Sequence, residues 1–183
     1  MILSDRDIRA ALQRLEDPLI VDPGFDPARL QPASLELTLA ADVLVETPHH
    51  IRNAYGIWQC DLADWDKGKV DDDPMNTSEF WLASTVEKVH IPRDLVAQVN
   101  GKSSLARKGL IVHTTAGFID PGFRGQITLE LKNLSAAPIR LEAGMPICQL
   151  VFFQMTSPSE RPYGSEGLSS HYQGQAGPTA SAA

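Results

Sequence analysis

The feature that most constrains the fold of this chain is a two-residue alternation of apolar and polar side chains, in short segments bounded by proline and glycine. In SLELTLA, for example, Leu35, Leu37 and Leu39 are each followed by a polar or small residue. Successive side chains of a β-strand point to opposite faces, so this alternation is typical of a half-buried strand. Comparable segments follow at sandwich-like intervals: FWLASTVEKVHIP, DLVAQVN, LIVHTT, GQITLELKN, PIRLEAG and PICQLVFFQM. The pattern predicts a mainly β protein, an all-β barrel or jelly roll.

Helix signals are confined to two short stretches. Ser4 can cap a helix in which Ile8, Leu12 and Leu15 follow helical spacing and which ends before Pro18. The second stretch, SSLARKG, is about two turns long, with Gly109 placed as its C-terminal cap. The core therefore has to be built mainly from strands.

The chain is long enough for one domain, since its 183 residues are 43% hydrophobic and single domains commonly hold about 100 to 200 residues. We expect a β domain over residues 1–155. Residues 156–183 are rich in Ser, Gly and Pro and have few apolar side chains, which predicts a flexible tail. Residues 46–76, which include DLADWDKGKVDDDP, are expected to form an irregular acidic insertion.

Charge and composition disfavour several classes of partner. A net charge of -7 argues against nucleic-acid binding, which needs a basic face. The first residues lack the apolar run of a signal peptide, and no apolar stretch has the length of a membrane span. Cys60 and Cys148 match no metal-ligand spacing, so reduced thiols are expected. The sequence predicts a cytoplasmic protein that binds neither nucleic acid nor membrane.

Three features are candidates for chemistry, but their residues alone leave the question open. In QITLELK, Glu130 lies on the strand face opposite Leu129 and Leu131, and this pattern by itself favours exposure to solvent. Asp120 precedes Pro-Gly, which is ordinary turn chemistry. GKSSLARKG gathers hydroxyl and cationic side chains around a helix start; this is compatible with a phosphate-binding loop and equally with an exposed, well-capped helix.

Several motifs in a fixed order resemble the dCTP deaminases of the trimeric dUTPase superfamily. The stretch GKSSLARKGLIVHTTAGFIDPGFRGQITLELKN carries the resemblance, together with AGMPICQLVFF and the tail SPSERPYG and HYQGQAGPT. The opening MILSDRDI and LQPASLELTL resemble the same family, and the likeness weakens only over residues 41–78. The resemblance implies a distorted, dUTPase-like β-barrel or jelly roll assembled as a homotrimer, with each active site built between neighbouring subunits.

The resemblance also assigns roles in the site. Glu130 would be the general base that activates water for attack at cytosine C4, with Ser104 and Arg107 close to the chemistry. Asp120 would contact the deoxyribose and orient a second water where the phosphate chain is also cleaved. The substrate-binding set that the resemblance implies is Lys102, Ser103, Ser104, Leu105, Ala106, Arg107, Asp120, Thr128, Leu129, Glu130, Gln149, Tyr163, His171 and Gln175.

The cofactor expected with the nucleotide is Mg²⁺, held by triphosphate oxygens and water rather than directly by protein side chains. Zinc is not expected, because the chain has no PCxxC motif of the zinc deaminases. A zinc-free deaminase must raise the reactivity of its water with a carboxylate and positioned donors.

The product depends on the residues beside Asp120. Family members that stop at dUTP usually carry a His-Arg pair where this chain has Gly117 and Phe118, and TAGFIDPGF resembles the members that form dUMP. The resemblance therefore implies deamination of dCTP followed by pyrophosphate release, supplying dUMP for thymidylate synthesis, with dTTP as a candidate inhibitor. The alternatives are a deaminase that forms dUTP, a dUTPase without deaminase activity, and a non-catalytic trimeric β-module.

The tail acquires a role from the same resemblance. Tyr163, His171 and Gln175 are expected to fold over the phosphates as a lid, with Gln149 in the same site. The family commonly has Lys at the position of His171. A neutral imidazole supplies less charge to a phosphate than an ammonium, so the affinity for the triphosphate is expected to differ.

Overall fold

A computed structural model describes residues 1–46, 51–52, 58–59 and 65–182, of which 51–52 and 58–59 are described as backbone only. The predicted pair of short helices is present, together with one 3₁₀ turn, and the rest of the regular structure consists of strands. In chain order the elements are α1 (Asp5–Leu12), β1 (Ile20–Asp22), the 3₁₀ turn (Pro27–Arg29), β2 (Leu30–Gln31), β3 (Ser34–Glu46), β4 (Ile51–Arg52), β5 (Trp58–Gln59), β6 (Trp65–Lys69), β7 (Phe80–His90), β8 (Leu95–Gly101), α2 (Ser103–Ala106), β9 (Leu110–Ile111), β10 (Phe118–Ile119), β11 (Arg124–Asn133) and β12 (Pro146–Gln154).

Ten strands form one sheet with antiparallel pairing, in the central order β10-β8-β12-β3-β7-β11-β9. β3 is the longest strand, with 13 residues. Its first half pairs with β12, and after a register shift between Leu39 and Val43 its second half pairs with β7 and β6. A strand that changes partners in this way passes from one layer of the fold to the other. The sheet therefore curls into a half-barrel, and the mainly β prediction is confirmed.

The core is built from the apolar faces that the alternation predicts. In β11, Ile127, Leu129 and Leu131 are buried, whereas the residues between them are partly exposed. Each buried leucine stabilises the fold by about 1.5–3 kcal/mol relative to an exposed one. Cys148 lies in the same core, where burial, followed by the charge of Glu87, raises the pKa of its thiol far above the usual range. Cys148 is therefore a protonated, unreactive thiol, while Cys60 lies outside the described residues.

The N-terminal helix is shorter than predicted. Ser4 caps α1 in a reciprocal capping box with Asp7, as expected for a polar residue ahead of an apolar stripe. The prediction that the helix continues to Leu15 is wrong, because α1 ends at Leu12 and Leu15 is fully exposed. The chain turns back so that the Leu19 amide donates to the Ala11 carbonyl at 3.0 Å, and this return places Leu19 in the core.

Three strand and loop predictions need correction. LIVHTT is a strand only over β9, and PIRLEAG contributes a single bridge between Ile139 and Met75 instead of a strand. Residues 46–76 are not wholly irregular, because β6 pairs with the second half of β3 and Met75 is fully buried. The acidic side chains in this segment concealed a strand whose backbone pairing does not depend on side-chain polarity.

In the part of the chain described, no helix is long and apolar enough to cross a membrane.

Candidate active site

The segment GKSSLARKG forms one helical turn, α2, directly after β8, rather than the two turns predicted. The amides of Leu105 and Ala106 both donate to the Lys102 carbonyl, at 3.0 and 2.9 Å. Leu105 is buried in the core and fixes the turn to the sheet, while Ser104 and Arg107 are exposed. Gly109 closes the turn at a φ of +91°, in the left-handed region that favours glycine.

An open cavity of about 370 Å³ lies beside α2. Gln149 of β12 faces it, and its side-chain amide is fixed by two hydrogen bonds. The amide oxygen accepts from Ser34 Oγ at 2.9 Å, and the amide nitrogen donates to the Gly101 carbonyl at 3.4 Å. The residues that line this α2 pocket are Gln31, Pro32, Ala33, Ser34, Glu36, Lys102, Ser103, Ser104 and Gln149. Hydroxyl, amide and ammonium donors around an open cavity suit a polar, anionic ligand.

The Lys102 ammonium forms a salt bridge with Glu36 at the edge of the α2 pocket. Both side chains are mostly buried, with 19% and 16% of their surface exposed. Glu36 lies on β3, where its partner residue on β12 is Gln149. The pair fixes the Lys102 ammonium at the edge of the cavity, where the Glu36 carboxylate offsets part of its charge.

Glu130 is held in place on the half-buried polar face of β11. One carboxylate oxygen, Oε2, accepts two hydrogen bonds from Thr114, at 2.8 Å from the backbone amide and 2.6 Å from the hydroxyl. Two short donors on one oxygen fix the side-chain rotamer. Glu130 is therefore neither a freely solvated surface residue nor part of the core.

The tail lies along the beginning of β11. Residues 156–182 contain no helix or strand, yet the Gly174 amide donates to the Arg124 carbonyl at 2.7 Å and the Gln126 amide to the Gln175 carbonyl at 3.1 Å. The side-chain amide of Gln175 donates back to the Gln126 carbonyl at 2.7 Å. Its oxygen lies 3.5 Å from Thr128 Oγ1. Gln175 and Thr128 thus share a strand face with Glu130, two residues further along β11.

Asp120 and Tyr163 are brought close to one another by the backbone. Asp120 follows β10 in an exposed turn whose carbonyl accepts from the Phe123 amide at 3.2 Å. The Tyr163 amide donates to the Pro121 carbonyl at 2.7 Å, and its ring packs against Phe123 with 5.9 Å between centroids. The tail is therefore anchored on the turn that presents the Asp120 carboxylate.

Gly117 and Phe118 differ sharply in their surroundings. Gly117 is buried, and a Cβ there would lie 3.0 Å from His113 Cε1 and 3.1 Å from the Val99 carbonyl oxygen. A larger residue at this position requires His113 or the Val99 carbonyl of β8 to move by a few tenths of an ångström. Phe118 is 65% exposed, so its ring is available to a ligand or to another chain.

His171 is exposed and packs edge-on against Tyr172, with 6.3 Å between the ring centroids. The Tyr172 amide donates to the Tyr163 hydroxyl at 3.1 Å, which ties this part of the tail to its anchor. The imidazole is thus held near the Asp120 turn, on the accessible side of the tail.

The predicted residues form two groups within one chain. Lys102, Ser103, Ser104 and Gln149 surround the α2 pocket, whereas Thr128, Glu130 and Gln175 share the β11 face, with the Asp120 turn and Tyr163 nearby. Between described residues, no hydrogen bond or ion pair joins the two groups, and Arg107 has no side-chain partner. Leu105 and Leu129 lie in the core, so a ligand can meet them only through their backbones.

Sequence reasoning missed Glu36 and Thr114. Glu36 was indistinguishable from any polar residue of an alternating strand, because its salt bridge joins positions 66 residues apart. Thr114 lies beyond the end of β9 in a loop without periodicity. It lies one residue past position 113, which a continued ladder would bring opposite Glu130, and this register cannot be read from the sequence. In the described ranges, no three His, Cys, Asp or Glu side chains cluster closely enough to hold a metal ion.

Comparison with known proteins connects these groups to a family. The model of the dCTP deaminase-like family matches residues 2–155. A protein of Streptomyces coelicolor named "dCTP deaminase, dUMP-forming" is 48% identical over 185 residues, covering 99% of this chain and 94% of that protein.

Solved structures show the same fold at lower identity. A 2'-deoxycytidine 5'-triphosphate deaminase from Agrobacterium tumefaciens superposes with a TM-score of 0.63 at 22% identity, covering 82% of this chain and 46% of that one. A dUTPase of Staphylococcus bacteriophage 80alpha, solved with dUpNHpp, gives 0.51 at 17% identity, covering 86% and 95%. The predicted dUTPase-like fold is confirmed. With a family match that spans the whole β domain, this chain belongs to the dCTP deaminase-like family.

Proposed function

We propose that this protein converts dCTP to dUMP in two hydrolytic steps. Water first replaces the amino group at C4 of cytosine, giving dUTP and ammonia. A second water then cleaves the bond between the α- and β-phosphates, giving dUMP and pyrophosphate. The observation that carries the proposal is Glu130, a carboxylate held by two donors on a polar strand face in a chain 48% identical to a protein named as a dUMP-forming dCTP deaminase.

Glu130 is the general base of the first step. Its carboxylate takes a proton from water as the water oxygen attacks C4, and the proton then passes to the base and the departing ammonia. Ser104 and Arg107 are exposed on α2 and available to donate to the cytosine as charge develops on it.

The α2 pocket is the place for the triphosphate. Lys102, Ser103 and Gln149 offer an ammonium, a hydroxyl and an amide to its oxygens. Mg²⁺ is expected to arrive with the nucleotide, since the donors around this pocket suit phosphate oxygens better than a directly bound hard cation. When bound, the ion neutralises charge on the phosphate chain.

Asp120 serves the second step by orienting the water that attacks the α-phosphate. Its turn is anchored to Tyr163 of the tail, so closure of the tail and placement of this carboxylate are linked. The small Gly117 and the neighbouring Phe118 leave the loop in the arrangement in which Asp120 is presented outward. The tail residues Tyr163, His171 and Gln175 complete the enclosure of the phosphates.

A homotrimer would bring the two groups into one site. A site needs the α2 pocket and Glu130 within one nucleotide's length, and the described contacts of a single chain do not join them. We assign the two groups of each site to neighbouring subunits, with closed threefold symmetry. A cytoplasmic location and inhibition of the same site by dTTP are part of this proposal.

The trimer can be tested by complementation. Arg107→Ala and Glu130→Gln are each expected to abolish deamination. When the two variants are refolded together, about one quarter of the sites should pair an intact α2 with an intact Glu130 if the two come from different subunits. Activity that stays absent in the mixture, with mixed trimers confirmed by mass, would contradict the shared site.

The reaction is tested by incubating the protein with dCTP and Mg²⁺ and resolving dUTP, dUMP, ammonia and pyrophosphate. Stoichiometric ammonia, pyrophosphate and dUMP, without accumulation of dUTP, is the expected result. Accumulating dUTP would indicate a deaminase that stops at the first step, and turnover of dUTP alone would indicate a dUTPase. If neither dCTP nor dUTP is turned over, the result would favour the alternative of a non-catalytic β-module.

A further inference from the structure

The loop after β9 makes an unusual connection to the strand that carries Glu130. β9 pairs with β11 through Ile111 opposite Lys132 and Leu110 opposite Asn133. A continued antiparallel ladder would bring residue 113 opposite Glu130. The ladder instead stops at Ile111, and the next donors that reach β11 are the amide and hydroxyl of Thr114, both directed at the Glu130 side chain.

The segment that carries Thr114 is fixed at both ends. Val112 is buried in the core on one side. On the other side, the Gly117 carbonyl accepts from the Val99 amide at 2.7 Å, and His113 packs directly over Gly117. Because the loop is already anchored, holding its two donors in one geometry costs little conformational entropy. A mobile side chain would lose more entropy to do the same.

We infer that Thr114 is the positioning residue for the base of the deamination, directing Oε1 of Glu130 to the attacking water. Both Thr114 donors occupy Oε2, at 2.8 and 2.6 Å, and Oε1 has no hydrogen-bond partner within the residues that the structure describes. A carboxylate oxygen has about two lone-pair directions, so Oε2 is saturated. The water proton therefore goes to Oε1 and is passed from there to the base and the leaving ammonia, while Thr114 loses no proton.

This inference rests on the proposed function, and the test keeps the two apart by following each hydrolytic step separately. Thr114→Val removes the hydroxyl and keeps the shape and the backbone amide; Thr114→Ser keeps the hydroxyl and is the matched control. With dCTP, Thr114→Val should lower kcat for ammonia release on the order of 10- to 100-fold, as loss of one hydrogen bond to a charged group implies. KM for dCTP should stay within about twofold, because the base acts on the attacking water rather than on substrate affinity.

The serine variant and the second step separate positioning from structural damage. Thr114→Ser should restore most of kcat, and both variants should hydrolyse dUTP at the wild-type rate, since that step bypasses Glu130. Wild-type ammonia release by Thr114→Val would overturn the inference. So would an equal loss of dCTP and dUTP turnover that serine does not rescue.

A spectroscopic measurement tests the contact without relying on activity. The amide proton of Thr114 donates to a carboxylate in the wild type and should move upfield in Glu130→Gln, where the acceptor is a neutral amide. An unmoved Thr114 amide would overturn the inference. A wild-type protein that fails to release ammonia from dCTP, with the amide shift present, would count against the proposed function instead.

Discussion

Gly125 is the position at which one added methyl group should detach the tail from β11. Gly125 has a φ of +149°, and a Cβ built on it would lie 2.9 Å from the Gln175 carbonyl oxygen and 3.0 Å from the Gln175 nitrogen. Contacts this short with backbone atoms cannot be relieved by a side-chain rotation. Gly125→Ala should therefore displace residues 174 and 175 from the strand.

The size of the effect follows from the hydrogen bonds that this displacement breaks. Three short bonds hold residues 174 and 175 on β11, from the Gly174 amide, the Gln126 amide and the Gln175 side chain. The longer contact of Thr128 Oγ1 with Gln175 and the neighbouring bonds of Gln173 and Gly177 are left out of this count. At about 1 kcal/mol each, their loss weakens docking by about 3 kcal/mol, or on the order of 100-fold in the open population.

Chymotrypsin cleavage after Tyr172 measures that population, because cleavage of a locally opened segment follows the fraction open. Gly24→Ala is the matched control: Gly24 has a φ of +129°, and a Cβ there meets nothing within 4 Å. It carries similar backbone strain without touching the tail. If Gly125→Ala is cleaved no faster than the wild type and Gly24→Ala, the tail does not dock on β11 in solution.

Three further outcomes are expected. Glu130→Gln should abolish ammonia release while a non-hydrolysable dCTP analogue still binds in calorimetry, because the amide keeps the shape and loses the base; deamination by this variant would overturn the mechanism. His171→Lys should tighten binding of that analogue above pH 7, where an ammonium stays charged and an imidazole is largely neutral; an unchanged Kd would count against a lid role. Although burial raises the pKa of Asp94, hydrogen bonds from Arg14 and Gln154 outweigh it and lower the pKa below the usual 3.8. The stability gained from this ionised carboxylate is full above that pH and is lost as pH falls through the lowered pKa, so the melting temperature of Asp94→Asn should decline less steeply in acid than that of the wild type.

The sequence predicted best where one physical effect decides the outcome. Burial alone sets the alternation of β11, so Ile127, Leu129 and Leu131 were placed on the core face correctly. The same alternation could not say what covers the opposite face. That face meets Thr114, which binds Glu130, and the tail, which contacts Thr128; both come from other parts of the chain.

The errors arose where tertiary contacts outweigh local pattern. Leu15 continues the helical spacing of α1, but the helix ends three residues earlier because Leu19 must return to the core. PIRLEAG alternates like a strand, yet its backbone pairs only through Ile139. Conversely, β6 carries mostly polar residues and is a strand because the second half of β3 offers it free backbone groups.

The path of β3 has a consequence for protein synthesis. Ser34 and Glu36 line the α2 pocket from the half of β3 that pairs with β12, more than 100 residues later in the chain. When β3, β7 and β8 have left the ribosome, the nascent chain still lacks Gln149 of β12. Its α2 pocket therefore stays incomplete until this last strand has been synthesised. Nucleotide therefore cannot stabilise the early stages of folding by binding to this pocket. It can bind only the completed domain, and a chain that ends before β12 should not bind dCTP.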